Sequence, residues 1–472
     1  MIWKLLERIS SQLVSFIISI VLARILMPDD YGVIAIILVF INLANVIIDG
    51  GLNTALIQKK EADQADFSTI FWFCLFVALV LYGVLFVGAP FISEFYNNEI
   101  LTPTLRVLGI SVFFNSFNSI QRAYVSRHML FRKLFYVNAI ALVLSGSLGV
   151  LMAYQGLGVW ALVSQSLSSS IFCCILMWFT IRWRPTLEFS IVKFKVLFDF
   201  GWKLFVTNFI IALYGDIRSI FIGKVYQPSA LGYFDRGRSM PQLIMSNLLT
   251  TLNAVLLPTF SNEQDDRERV KQMMRRSVQV GYLFIAPFLV GLFCASKEIV
   301  VVLLTEKWLP AVPFLQIFCI AYFLMPIQNI NITAIQSLGY SGITLKLEII
   351  KKIIEAIILV VSFMFDVYAV AWGIVLYVFL CVFINLRPSK KLVDYGIIEQ
   401  IKDVLPTLIA ALIMGLVVYS CELLPLNSFL ILAIQIVVGI VVYYILCKLF
   451  RLDSFNYVLE YVHKGVSERM RR

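Results

Sequence analysis

The chain has 472 residues, 60% of them hydrophobic and 14% charged, and carries a formal net charge of +10, with a mean hydropathy of +0.88. So apolar a composition excludes an ordinary soluble enzyme, a disordered chain and a nucleic-acid-binding domain, and indicates an integral membrane protein. Apolar stretches of about 20 residues fit helices crossing a bilayer core, whereas barrel strands would read as alternating runs of about 10.

In chain order, apolar length and turn punctuation predict about 14 spans. They lie near residues 5–26, 33–57, 69–92, 105–126, 134–154, 158–181, 203–224, 233–257, 278–304, 312–336, 344–365, 368–386, 403–421 and 428–449. The first run is too long for a secretory h-region and lacks a small-residue cleavage site, so it reads as a retained span. Connections alternate in charge. "QKKEAD", "RHMLFRK", "RPSKK" and the Arg-rich tail fall on one side, and "MPDD", "SEFYNNE" and "CELLPLNS" on the other. About 31 of the 39 Lys and Arg lie on the first side, which makes it cytoplasmic and places both termini inside. The net charge is then mostly an orientation signal and an attraction to anionic membrane lipids, and implies no nucleic acid.

No connection is long enough for a soluble catalytic domain. Residues 182–202 read as a cytoplasmic amphipathic linker in the headgroup layer, and 451–472 as a basic cytoplasmic tail. The eight cysteines have neither metal-ligand nor paired-loop spacing and read as packing thiols. His128 and His463 fall in basic polar segments, so neither a histidine metal site nor a histidine proton relay has a candidate.

A repeat organises the chain. "LARILMPDDYG" (22–32) and "IGKVYQPSALG" (222–232) both place a basic residue (Arg24, Lys224), then a proline (Pro28, Pro228), then a glycine (Gly32, Gly232) at one spacing. Trp3-Lys4-Leu5 recurs as Trp202-Lys203-Leu204, and the fourth span resembles the tenth. The expected architecture is all-α, with two pseudo-symmetric six-helix lobes around a central cavity: an N-lobe at 1–181 and a C-lobe at 203–387. Spans 13 and 14 (388–450) are additions outside it. Six is even, so both copies insert with one orientation, an arrangement that suits transporters. The prolines end one helix and the glycines permit the turn into the next.

Residues 22–60, "LARILMPDDYGVIAIILVFINLANVIIDGGLNTALIQKK", resemble the first two spans of Wzx-type polysaccharide flippases, in the multidrug, oligosaccharidyl-lipid and polysaccharide exporter superfamily. "SALGYFDRGRSM" (229–240) resembles the matching second-lobe segment, although Asp235 and Gly237 stand where a small polar residue and an alanine are expected. The resemblance implies two six-helix lobes around a cavity and alternating access without ATP. It also implies an undecaprenyl-diphosphate-linked oligosaccharide moved across the bacterial inner membrane for cell-surface polysaccharide synthesis. Membrane lipids and a glycan polymerase complex would be partners. No enzymatic activity or cofactor is expected, apart from proton or sodium coupling. No Walker-type glycine loop or acidic metal cluster occurs in the chain.

A flippase needs no nucleophile, only groups that favour a diphosphate and sugars inside an apolar protein. A charged side chain at mid-bilayer costs about 2.5–3.5 kcal/mol on insertion scales, so such residues are functional candidates. Arg218, within span 7, leads as an anion-binding group because guanidinium pairs bidentately with phosphate; a structural ion pair is the alternative. Arg24 and Lys224 either flank the outer mouth of the cavity or snorkel to headgroups. Arg106, Arg236 and Arg238 suggest an outer cationic rim, with Asp235 as partner. Asp49, followed by two glycines, is a coupling-ion or ion-pair candidate, and Asp216 sits two residues from Arg218. Lys351 and Glu355 are four apart on one face and are expected to form an intramembrane pair; Glu348 and Lys352 repeat that spacing nearer the cytoplasm, where a solvated helix extension explains them as well as function does. Asn42, Asn45, Asn115, Asn118, Gln121, Asn208, Asn247, Asn253, Gln328 and Asn331 serve as sugar ligands or, more commonly, as interhelical glue.

Three other readings stand beside this one. An ion-coupled drug exporter of the same fold would need unpaired acids in its cavity, whereas the excess charge here is basic. A glycan polymerase or ligase would need a long catalytic outer loop. A scaffold for a synthesis complex is the third.

Overall fold

In lipid every backbone N–H and C=O must find its partner within its own segment, and the apolar runs accordingly fold as α-helices. The computed structural model describes residues 2–460, excluding the side chains of residues 2–10 and Ser341. In chain order the helices are α1 (Ile2–Ile25), α2 (Pro28–Asp49), α3 (Leu52–Gln58), α4 (Gln64–Tyr96), α5 (Leu101–Arg127), α6 (Phe131–Tyr154), α7 (Val159–Thr180), α8 (Ile191–Val225), α9 (Pro228–Asn262), α10 (Arg267–Cys294), α11 (Ser296–Leu304), α12 (Val312–Phe323), α13 (Met325–Ser337), α14 (Ser341–Ser362), α15 (Val367–Val393), α16 (Ile397–Ser420) and α17 (Ser428–Leu449). The last part of the predicted basic tail, from 461, lies outside the described residues, as do the side chains of Trp3, Lys4 and Leu5.

Polar side chains start the helices where the sequence turns from loop to apolar run. Asp63 accepts from the Asp66 N–H at 2.9 Å while the Asp66 carboxylate accepts from the Asp63 N–H at 3.0 Å, closing a reciprocal cap on α4. Asp366 caps α15 at 2.7 Å and Asn427 caps α17 at 2.9 Å, each satisfying an N–H that has no partner within its helix.

Among the described residues eleven helical segments are long and apolar enough to cross a membrane, against about 14 spans expected from the sequence. The difference lies in α5 and α14, which are long enough but too rich in Arg, Lys, Glu and Asn, and in α1, of which Ser11–Ile25 is an apolar helix shorter than a span. Several predicted ends also move. The span expected at 203 begins at Ile191, so residues 191–202 of the predicted linker continue straight into α8. The span expected at 278–304 starts earlier, at Arg267, and breaks at Ala295 into α10 and α11.

The chain forms two units, one ending at Gly232 and one beginning at Tyr233. In the first, α6 packs on α1 and α7, α5 on α4 and α7, and α8 on α2, α3 and α4. In the second, α10 is central, packed by α12, α13 and α16, while α14 pairs with α15. One core joins Phe260 of α9, Met274 and Tyr282 of α10, Ile330 of α13, Leu386 of α15 and Val404 of α16. Thus α16, expected as an addition, shares the core of its unit; burying its apolar stripe there satisfies it better than an isolated position would.

The repeated proline and glycine meet within the first unit. Pro28 and Pro228 open α2 and α9, as proline favours the first helical turn. Gly32 and Gly232 lie one turn further on, inside the helices and not in a turn as the sequence suggested. A Cβ on Gly32 would fall on the Pro228 backbone, and one on Gly232 on the Pro28 carbonyl. Each copy of the motif supplies the small residue that lets the other's proline turn approach.

Candidate functional site

The Gly50-Gly51 pair ends α2. Both residues take left-handed conformations, with φ of 48° and 69°, which a side chain resists, and a Cβ on Gly51 would collide with the Gly201 carbonyl and Leu204 of α8. The break leaves Asp49 at the carbonyl end of α2, where the helix dipole disfavours a carboxylate. Donors compensate it: Asn53 Nδ2 at 2.7 Å and the Ser119 hydroxyl, with the Arg122 guanidinium as the nearby countercharge.

Ser119 and Arg122 belong to a polar stripe on α5. Asn115, Asn118 and Arg122 recur at three- and four-residue spacing and so share a face. Asn115 donates to Asn45 of α2 at 3.2 Å, and Asn118 donates to the Ser170 carbonyl of α7 at 3.1 Å. Beside this stripe is a cavity of about 220 Å³, lined by Ser11, Asn115, Asn118, Arg122, Asn138 and Cys173 among others. Arg122 donates to the Cys173 sulfur at 3.7 Å, and Cys173 to Asn138 at 3.8 Å. Asn118 is 3% exposed, and its Oδ1 has no hydrogen-bond partner; the Ser11 hydroxyl and both amide atoms of Gln121 are likewise unpartnered among the described residues.

The basic residues singled out in the sequence are dispersed. Arg106 donates to the Phe86 carbonyl at 3.1 Å and lies 4.3 Å from the Phe86 ring. Lys224 donates to the Phe95 carbonyl and lies 4.6 Å from the Phe95 ring. Both are therefore held on α4. Arg24 is exposed in the last turn of α1, and Arg218 and Asp216 are half-buried towards the end of α8, all three engaged by neighbours. In the second unit Arg238 pairs with Asp235 at 3.1 Å, and Arg236 lies 5.7 Å from the Trp308 ring.

Lys351 and Glu355 are buried in α14, but not as each other's partner: Lys351 pairs with Glu348 at 2.5 Å and Lys352 with Glu355 at 2.8 Å. With an acid three residues from each lysine, the four charges divide into two short pairs in place of the Lys351–Glu355 pair expected. Several of the polar residues are interhelical bonds, among them Gln328 to the Val378 carbonyl at 2.6 Å and Asn331 to Gln400 at 2.9 Å. Asp403 of α16 accepts from Arg275 and Gln279 of α10 and from Tyr395.

Arg122 and Asn138 escaped sequence reasoning. The signal was present for Arg122, which extends the Asn115–Asn118 stripe by one turn. Asn138 stands alone on α6 and gave none.

An all-helical, multi-pass membrane protein is the class that fold and composition define. The model for polysaccharide biosynthesis proteins matches residues 21–313, and the chain belongs to that family, in accord with its Wzx-like segments. It is 26% identical over 326 residues to the succinoglycan biosynthesis transport protein ExoT of Rhizobium meliloti (strain 1021), covering 68% of this chain and 65% of that protein. It is 24% identical over 311 residues to the lipopolysaccharide biosynthesis protein WzxC of Escherichia coli (strain K12), covering 66% and 63%. The matched regions thus span somewhat less than two thirds of these relatives. The fold resembles that of the lipid II flippase MurJ in an inward closed conformation, with a TM-score of 0.75 and 18% identity over 95% of this chain and 99% of that one.

Proposed function

We propose that the chain carries a polyprenyl-diphosphate-linked oligosaccharide from the cytoplasmic to the outer leaflet of the bacterial inner membrane for cell-surface polysaccharide synthesis. It acts by alternating access and without enzymatic chemistry of its own. The observation that carries this reading is the polar stripe on α5: Asn115, Asn118 and Arg122 open onto a cavity within an apolar unit, and Ser119 on the same helix bonds Asp49. Such groups are costly in a membrane unless something hydrophilic uses them. The names of the relatives and of the structural neighbour support the same class of cargo.

In this reading Arg24, Arg106, Arg218 and Lys224 of the first unit attract the diphosphate, as do Arg236 and Arg238 of the second. Asp49 and the α14 pairs carry a coupling proton or sodium ion, both termini are cytoplasmic, and a polymerase takes the product. The test is depletion in the source bacterium: lipid-linked oligosaccharide should accumulate on the cytoplasmic face, and a plasmid copy should clear it. Arg218→Ala should insert at normal levels and clear it at least about tenfold more slowly, the equivalent of about 1.4 kcal/mol. No accumulation on depletion would remove the proposal; full clearance by the variant would remove Arg218 from it.

A further inference from the structure

We infer that the cavity between α1, α5, α6 and α7 is a binding site for a single sugar residue bearing one anionic group, a phosphoryl or a carboxylate. Its size suits the ligand class: about 220 Å³ lies below the roughly 300–1,000 Å³ of pockets for drug-sized ligands and matches one sugar ring with its substituent. Its chemistry sets the rest. Arg122 supplies the charge, and among the described residues its one hydrogen bond is the weak contact to the Cys173 sulfur, with no carboxylate within ion-pair distance. That leaves most of a five-donor fork for an oxyanion.

Around it the donors and acceptors are of the kind that match hydroxyls. Asn118 Oδ1 is buried and unpartnered, the Ser11 hydroxyl is unpartnered, and Asn138 and the Ser169-Ser170 pair complete the wall. A buried amide oxygen without a partner is unfavourable, and a sugar O–H would satisfy it. Ala141 and Leu142 form an apolar patch in the lining, suited to the C–H face of a sugar ring. A cation is disfavoured, because among the described residues no carboxylate lines the cavity and the charge there, on Arg122, is positive.

This site deepens the proposed function, since a lipid-linked glycan would present such a residue, but its binding is measurable without transport. The full chain, in nanodiscs of zwitterionic lipid, is titrated with glucose 1-phosphate, glucuronate, glucose and inorganic phosphate by ligand-observed NMR. In parallel, alkylation of Cys173 by a small thiol reagent is followed by mass spectrometry, with Cys421 as the control. Saturable binding of glucose 1-phosphate or glucuronate is expected, at least tenfold tighter than glucose or phosphate; which of the two binds more tightly identifies the anion. The tighter ligand should slow modification of Cys173 at least fivefold and leave Cys421 unchanged. Arg122→Lys should weaken the anionic sugars about tenfold, and Asn118→Leu should weaken the whole sugar series.

The inference is overturned if neither anionic sugar binds, if inorganic phosphate binds as well as they do, if Arg122→Lys leaves the affinities unchanged, or if the reagent cannot reach Cys173 in the unliganded protein. Binding without transport in the depletion test would retain this site and remove the flippase reading.

Discussion

At the scale of single residues, the basic side chains of this protein do two kinds of work. Arg127, at the end of α5, reaches the carbonyls of Leu56, Ile57, Lys59 and Lys60, closing the C-terminal end of α3, where helix carbonyls lack partners. Arg127→Ala should remove about 2–3 kcal/mol of stability, seen as a lower thermal midpoint of the detergent-solubilised protein; an unchanged midpoint would reduce this cluster to a surface contact. Asp63 is a second structural charge. Its hydrogen bond from Lys193 holds its carboxyl down, at about 2 against an ordinary 3.8. A lowered carboxyl stabilises above its ordinary value, and that stabilisation fades as pH falls from about 4 towards 2, so any pH dependence of transport near neutrality arises elsewhere. Arg122 is of the other kind, with a guanidinium largely uncommitted. The sequence displays both kinds as single charges at helix ends or in spans, and spacing along one helix does not reveal which carbonyls a distant loop will offer.

At the scale of elements, the Pro-Gly repeat was legible as a motif, but its reason was not. Spacing alone suggested a turn; the reciprocal approach of α2 and α9 requires two segments about 200 residues apart in sequence. A methyl group there meets backbone, which yields less readily than a side chain. Gly32→Ala and Gly232→Ala should each destabilise the solubilised protein by about 1–3 kcal/mol, whereas Gly83→Ala, with open space around it, should leave the thermal midpoint equal or raised. Equal effects at all three positions would refute the close crossing. The α14 pairs teach a related lesson. Composition placed two acids and two lysines on one helix, but the choice between three- and four-residue partners depends on side-chain direction, which helical spacing leaves open.

At the scale of the whole molecule, composition and the length of the apolar runs were enough to identify a multi-pass helical membrane protein, and two short segments identified its family. Two predicted spans, α5 and α14, fall short in hydropathy because they carry polar groups, several of them buried, among them Asn118 and Gln121 of α5 and Lys351 and Glu355 of α14. The same residues that lower their hydropathy line the cavity or form intramembrane pairs. Likewise α16 read as an addition, because nothing in its own sequence announces that Asp403 will meet Arg275 of α10 at 2.7 Å. The account as a whole rests on a hydrophilic headgroup being moved through this apolar chain. The most direct measurement is leaflet accessibility in proteoliposomes: a fluorescent polyprenyl-diphosphate oligosaccharide is placed in one leaflet, and its exposure to a membrane-impermeant glycosidase on the other side is followed with time. The account predicts exposure at least tenfold faster than in protein-free vesicles, with a cationic drug left unmoved. Exposure at the protein-free rate, or drug transport in its place, would contradict it.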